Sequence, residues 1–157
     1  DWSSDVCSSD LGDLLPLKGT ERILVTGPNA NSLRTLNGGW TYTWQGNGAD
    51  GFRPQYNTIY EALAQKFGDM YVKWVPGVSY MEDGNWQDED ATRMMDAVRA
   101  AYFANVIVAC VGENTYCETP GNLNDLNLSA NQKELVRQLA ATGRPLVLVL
   151  NGSQVPW

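Results

Sequence analysis

Apolar positions along the chain fall into compact blocks separated by stretches with helical spacing. Ile23-Leu24-Val25 is a short apolar run closed by Thr26-Gly27-Pro28-Asn29, a cluster of turn formers, and predicts a strand followed by a loop. Over residues 57–67, Ile59, Leu63 and Phe67 recur every four positions and Gly68 follows, the mark of an amphipathic helix with a glycine stop. Residues 71–75 alternate and end at Pro76-Gly77, which predicts a second strand. Asp88-Glu89-Asp90 places acid where a helix dipole favours it, and Met94, Met95, Val98, Ala101 and Tyr102 continue at helical spacing, so a helix is expected from Asp88 to about Ala104. Val106 to Val111 is nearly all apolar and β-branched, as in a central parallel strand covered on both faces. Ser129 and Gln132 have capping-box spacing and open a helix carrying Leu135, Val136 and Leu139, closed by Gly143; Pro145 to Leu150 reads as another buried strand.

This alternation predicts an α/β domain: an open, mostly parallel sheet flanked by helices, an α/β sandwich, with strands near 22–26, 71–75, 106–111 and 145–150. A chain of 157 residues suffices for one such domain with a real core. Both ends break the pattern. Asp1 to Leu11 has neither helical nor alternating periodicity, and its back-translation resembles a sequencing-library adapter oligonucleotide; residues 1–11 are therefore expected to be a non-native, unpacked tail rather than a natural polar one. The domain then occupies 12–157 and is expected to be truncated at Trp157, where a doubly wound fold would continue.

Charge and composition narrow the chemistry. Eleven Lys+Arg against eighteen Asp+Glu give a net charge of −7, which argues against nucleic acid or an anionic membrane surface as partner. No apolar run approaches the ~20 residues of a membrane span. The absence of histidine removes Ser/His and Cys/His nucleophiles and imidazole metal sites, leaving acid/base work to carboxylates. Cys7, Cys110 and Cys117 cannot all pair and match no zinc template; Cys110, in an apolar run, reads as a core residue. No metal or cofactor is implied. Six Trp and seven Tyr suit sugar faces and hydroxyls, although composition alone favours ordinary core and surface packing.

Ligands of open α/β sheets bind beyond the carboxyl ends of strands, and two loops are so placed. Residues 26–32 superficially suggest a phosphate cradle but lack both GxGxxG and a Gly-Lys-Ser/Thr sequence, so a plain strand-to-helix turn is expected. The loop after the central strand carries Glu113 and Glu118, with Tyr116, Thr119, Asn122, Asn124 and Asp125 around them. Such a polar group serves catalysis or only solvation and turn chemistry. Upstream, residues 37–51 hold five glycines around Trp40, Tyr42 and Trp44 and predict a long aromatic loop.

Gly38-Gly-Trp-Thr-Tyr-Thr-Trp-Gln-Gly46 and Gly112-Glu-Asn-Thr-Tyr-Cys-Glu-Thr-Pro-Gly-Asn-Leu-Asn-Asp-Leu126 together resemble the C-terminal α/β-sandwich domain of glycoside hydrolase family 3, the β-glucosidase and exo-glucanase group. The resemblance covers Lys18 to Trp157. It implies a retaining β-glycosidase acting on β-linked glucosides or gluco-oligosaccharides, with an N-terminal (β/α)8 barrel in cis whose Asp is the nucleophile; that barrel is missing from this chain. Glu118 is similar to the family's general acid/base and Glu113 to a supporting carboxylate. Trp44 resembles the aromatic wall of the leaving-group subsite, with Trp40 behind it, and Tyr116 and Asn122 are the further substrate-binding candidates. Cys117 stands where many relatives are expected to have Thr, which bears on local hydrogen bonding. Two other readings are a non-catalytic carbohydrate-binding module, using the same aromatic and polar loops to hold glycan, and a nucleotide-binding α/β domain, which the missing phosphate motifs disfavour. Localisation is open, a periplasmic or extracellular site being compatible with the resemblance.

Overall fold

The computed structural model describes residues 14–81, 88–122, 125 and 127–152; the tail at 1–11, and with it the expectation that it is unpacked, lies outside them. Strands β1 (Ile23–Thr26), β2 (Val72–Trp74), β5 (Val106–Gly112) and β6 (Leu146–Asn151) form one sheet in the order β2-β1-β5-β6, every pair parallel. All residues of β1 and β5 are buried, because both lie inside the sheet and helices cover both faces. On one face Leu24, Ile107 and Ala109 pack with Ala97 and Ala101 of α3 (Met94–Ala101) and Leu135 and Leu139 of α4 (Ala130–Ala141). On the other, Ile23, Val25, Val108 and Cys110 meet Ala64, Ile59, Leu63 and Phe67 of α2 (Ile59–Phe67). The molecule is thus the α/β sandwich that the alternating pattern predicts.

The glycine stop and four-residue spacing of α2 are as expected, and Thr58 adds a full capping box. Its hydroxyl accepts from the Glu61 N–H at 3.2 Å, and the Glu61 carboxylate accepts from the Thr58 N–H at 2.9 Å. A short helix α1 (Leu33–Asn37) follows the β1 loop, so residues 26–32 are the strand-to-helix turn expected.

Four expectations are corrected. The segment from Asp88 does not open a helix: Glu89–Asp90 forms β4, antiparallel to β3 (Ser79–Tyr80), and α3 starts at Met94. Ser129 Oγ donates to Glu89 at 2.6 Å and Gln132 Nε2 donates to it at 2.7 Å, and these buried-side partners outweigh a dipole interaction of ~0.3–1 kcal/mol. The core face of α3 runs through Ala97, Val98 and Ala101, while Met95 and Tyr102 are half exposed, since small residues let the helix approach the sheet. Ser129 caps α4 through the Gln132 N–H, yet Gln132 turns its amide inward to Glu89 and Gly112, so only half of the capping box forms. Finally β6 is an edge strand among the described residues, not a buried one: Val147 and Val149 pack on the core of one face, while Leu148 and Leu150 on the other are nearly half exposed.

Candidate active site

Parallel strands send their carboxyl ends to one side of the sheet, where the loops leaving β1 and β5 meet each other and the end of β6 at Asn151. The last residue of β5 is Gly112, at φ 154°, and a Cβ at this position would lie 1.6 Å from the Asn151 carbonyl oxygen of β6. Only glycine allows so close an approach. Gln132, buried on α4, holds this peptide unit from the other side: its Oε1 accepts from the Gly112 N–H at 2.8 Å and its Nε2 donates to the Gly112 carbonyl at 2.9 Å. Tyr80 Oη reaches the same carbonyl at 2.9 Å and Asn29 Oδ1 at 2.7 Å, while Asn29 Nδ2 donates to the Glu113 carbonyl at 3.2 Å. Burial pushes the Tyr80 phenol above its usual range despite the Gln132 hydrogen bond, and the charge of Glu89 adds to the rise, so Tyr80 stays a neutral donor. The chain therefore leaves the sheet at Glu113 along a fixed path.

Glu113 is half-buried and hydrogen-bonded by the Tyr116 phenol, which burial first and the Glu113 charge second hold above the ordinary tyrosine range. Both side chains line a cleft of about 180 Å³ together with Thr35, Asn37, Asn114 and Asn151. Glu118 lies beyond it, exposed to solvent, and is followed by Thr119 at φ 68°. A β-branched residue in the left-handed region is strained, and here the strain sits next to the candidate acid.

The aromatic loop docks against this segment. Asp50, in a 3₁₀ turn at Ala49–Phe52, accepts from the Leu33 and Arg34 N–H groups at 2.7 and 3.3 Å and fixes the loop's far end to α1. Tyr42 stacks on Phe52 with ring centroids 4.0 Å apart. Trp40 and Trp44 are tilted 55° to one another at 6.4 Å, joined by a Trp40 N–H to Trp44 carbonyl bond, and are 68% and 48% exposed. Gln45 makes the junction: its Oε1 accepts from the Cys117 N–H at 2.8 Å, its carbonyl accepts from Thr115 Oγ1 at 2.6 Å, and Cys117 Sγ contacts the Trp44 carbonyl at 2.8 Å. At Gly46, φ 73°, a Cβ would fall 2.0 Å from the Gly38 carbonyl, so the turn closes only on glycine.

Of the residues singled out from sequence, the fold brings Trp40, Trp44 and the Cys117-Glu118 segment to one patch, and Glu113 and Tyr116 to the adjoining cleft. Asn122 is exposed, its N–H on the Thr119 carbonyl, and does not line that cleft. Cys117 is partly exposed and Cys110 buried in the core, where burial pushes its thiol up to about 12. Among the described residues no three His, Cys, Asp or Glu side chains cluster as metal ligands would. Sequence reasoning missed Asn29, Gln45, Tyr80, Glu89 and Gln132, which hold the site from behind. Asn29 stands in the 26–32 loop, Gln45 inside the aromatic motif and Gln132 at a capping-box position, but those signals are local and name no partner across the site.

The structure is a parallel α/β sandwich whose strand-end loop carries Glu113 and Glu118 and is joined through Gln45 to a loop bearing two exposed tryptophans. The chain belongs to glycosyl hydrolase family 3: residues 10–157 match the model of that family's C-terminal domain. It is 34% identical over 143 residues to a lysosomal beta glucosidase of Dictyostelium discoideum, covering 88% of this chain and 17% of that protein. It is 32% identical over 154 residues to a periplasmic beta-glucosidase of Salmonella typhimurium, covering 88% and 19%. The chain thus spans less than a fifth of the length of these curated relatives. Among solved structures, a beta-glucosidase involved in saponin metabolism from intestinal bacteria shares the fold with a TM-score of 0.68 at 24% identity, over 91% of this chain and 22% of its own. An exo-1,3/1,4-beta-glucanase from a Pseudoalteromonas species does so with a TM-score of 0.64 at 23% identity, over 88% and 16%.

Proposed function

We propose that this chain is part of a longer retaining β-glycosidase of β-glucosidase or exo-β-glucanase type, in which it supplies the general acid/base. The reading is carried by one observation: Gln45 and Thr115 fasten the Trp40–Trp44 loop to the segment that ends in Glu118, so an aromatic surface and an exposed carboxyl group flank the same space. Curated relatives that are β-glucosidases, and several times longer, support it.

Retaining hydrolysis needs a second carboxyl group ~5–5.5 Å from the first, across the scissile bond. Glu113 and Glu118 leave the same strand end, and Glu113 is engaged by Tyr116, so the nucleophile is assigned to an Asp of a (β/α)8 barrel in cis. In the first step Glu118 gives its proton to the departing glycosidic oxygen as the barrel carboxylate bonds to the anomeric carbon. In the second, the Glu118 carboxylate takes a proton from water, which attacks the same carbon and releases the sugar. Trp44 forms the wall of the leaving-group subsite with Trp40 behind it, Glu113 braces the loop, and Tyr116 and Asn122 supply polar contacts to the β-linked glucoside.

The test compares leaving groups in the enzyme formed by joining this chain to a barrel domain of its family. Glu118→Ala is expected to lower kcat/KM for alkyl glucosides or disaccharides by ~10²–10⁴-fold while affecting activated aryl glucosides far less, and azide restores turnover by attacking the glycosyl-enzyme without base catalysis. The same dependence and rescue in Glu113→Ala instead reverses the two roles. The chain by itself is expected to leave aryl β-glucosides intact. Glycan binding by the chain, with no turnover once a barrel is attached, would instead describe a carbohydrate-binding module.

A further inference from the structure

Glu118 is exposed, and among the described residues the backbone hydrogen bonds on its C-terminal side are local to its own turn, from Gly121 to Cys117 and from Asn122 to Thr119. A turn closed on itself does not fix where it sits on the domain. Immediately before Glu118 the situation differs: the Cys117 N–H lies on Gln45 Oε1 at 2.8 Å, and the neighbouring Thr115 hydroxyl and Cys117 thiol lie on the Gln45 and Trp44 carbonyls at 2.6 and 2.8 Å. Of the two bonds from Cys117, the residue adjoining Glu118, the one that holds its backbone goes to the Gln45 side chain; the Cys117 thiol and the Thr115 hydroxyl bond backbone carbonyls of the aromatic loop.

We propose that Gln45 is a positioning residue for Glu118, and that through it the tryptophan wall and the acid move as one body, clamping the leaving group between ring and proton. This rests on the reading of Glu118 given above. The Gln45 Nε2 is buried and has no hydrogen-bond partner among the described residues, an arrangement unfavourable for stability. A side chain serving only to fill this space would avoid burying that amide; what Gln45 contributes is the acceptor oxygen. A general acid must be held closely to its target oxygen, and a displacement of about an ångström costs as much as ~10²-fold.

Gln45→Met keeps nearly the same volume, removes the acceptor and also removes the unpaired amide, so the fold is retained. In this chain, amide hydrogen exchange at Cys117 is expected to accelerate in Gln45→Met, while Val108 to Val111 of β5 stay protected. In the enzyme joined to a barrel, Gln45→Met is expected to lower kcat/KM ~10–10²-fold for a poor alkyl leaving group and much less for an activated aryl one. A role in stability alone lowers both equally, by reducing the folded fraction. Glu118→Ala runs beside it. If Glu118→Ala shows the leaving-group split and Gln45→Met does not, the Gln45 assignment is overturned and the Glu118 reading stands. If neither shows the split, both fall. A Cys117 amide that exchanges freely in the unaltered chain also overturns the latch.

Discussion

Gln132 holds the peptide unit of Gly112 by both ends, accepting from its N–H at 2.8 Å and donating to its carbonyl at 2.9 Å. A side chain on a helix thereby completes hydrogen bonding at the end of the central strand, at the residue before Glu113. Replacing Gln132 by Leu keeps the volume but strips the Gly112 N–H of its acceptor, and the Glu89 carboxylate loses one of its donors. Leaving a buried donor unmade costs ~1–3 kcal/mol, and a charged acceptor more. Gln132→Leu is therefore expected to lower stability by at least this amount in urea unfolding with unchanged m; a loss below about 0.5 kcal/mol would mean the network reorganises around the leucine.

Two glycines with similar backbones give a second prediction. Gly38 (φ 76°) and Gly46 (φ 73°) both sit in the left-handed region, but a Cβ at Gly38 meets nothing within 4 Å, whereas one at Gly46 lies 2.0 Å from the Gly38 carbonyl and 2.4 Å from Thr115 Oγ1. Gly38→Ala carries only the conformational penalty, ~1–2 kcal/mol. Gly46→Ala must also open the turn and its Thr115 contact, and it should show the larger loss together with a red shift of tryptophan emission as the aromatic loop lifts away. Equal losses in the two variants would show that the loop adjusts freely.

The α2 capping box makes stability depend on pH in a defined direction. Burial raises the Glu61 carboxyl, but the Thr58 N–H and Arg53 outweigh it, so the net shift is below the ordinary value of 4.5. A group whose pKa is lower folded than unfolded stabilises the fold above the unfolded pKa and loses that contribution as pH falls through the folded one. Unfolding at pH 7 and stepwise below 4.5 should show the difference between the parent chain and Glu61→Gln shrinking as pH falls. A difference that grows on acidification contradicts the assignment. Arg53 and Glu61 are each about a third exposed, which keeps the effect small.

Thiol chemistry separates the two described cysteines. Cys110 is fully buried with its thiol raised to about 12, while Cys117 is partly exposed, with desolvation and the nearby charge of Glu118 both raising it. Iodoacetamide should modify Cys117 slowly at neutral pH and faster as pH rises, and reach Cys110 only when denaturant is added. Mass-spectrometric labelling of Cys110 in the native chain contradicts its place in the core.

The order of elements was legible in the sequence because it depends on patterns that act locally. Ile23-Leu24-Val25 and Val106 to Val111 are apolar enough to demand burial on both faces, and the spacing of Ile59, Leu63 and Phe67 allows only one face of a helix. The two long motifs likewise carried the family, since each motif is continuous along the chain. What the tertiary structure decided is every pairing between distant segments. Glu89 reads as a helix-opening acid until Ser129 and Gln132, forty and more residues away, draw it into a strand. Leu148 and Leu150 read as buried until the packing of the described residues leaves their face of β6 half exposed. Gln45 and Gln132 look like ordinary polar residues, and their work is visible only where they meet Cys117 and Gly112, because a hydrogen-bond partner is fixed by distance in space and leaves no period in the sequence.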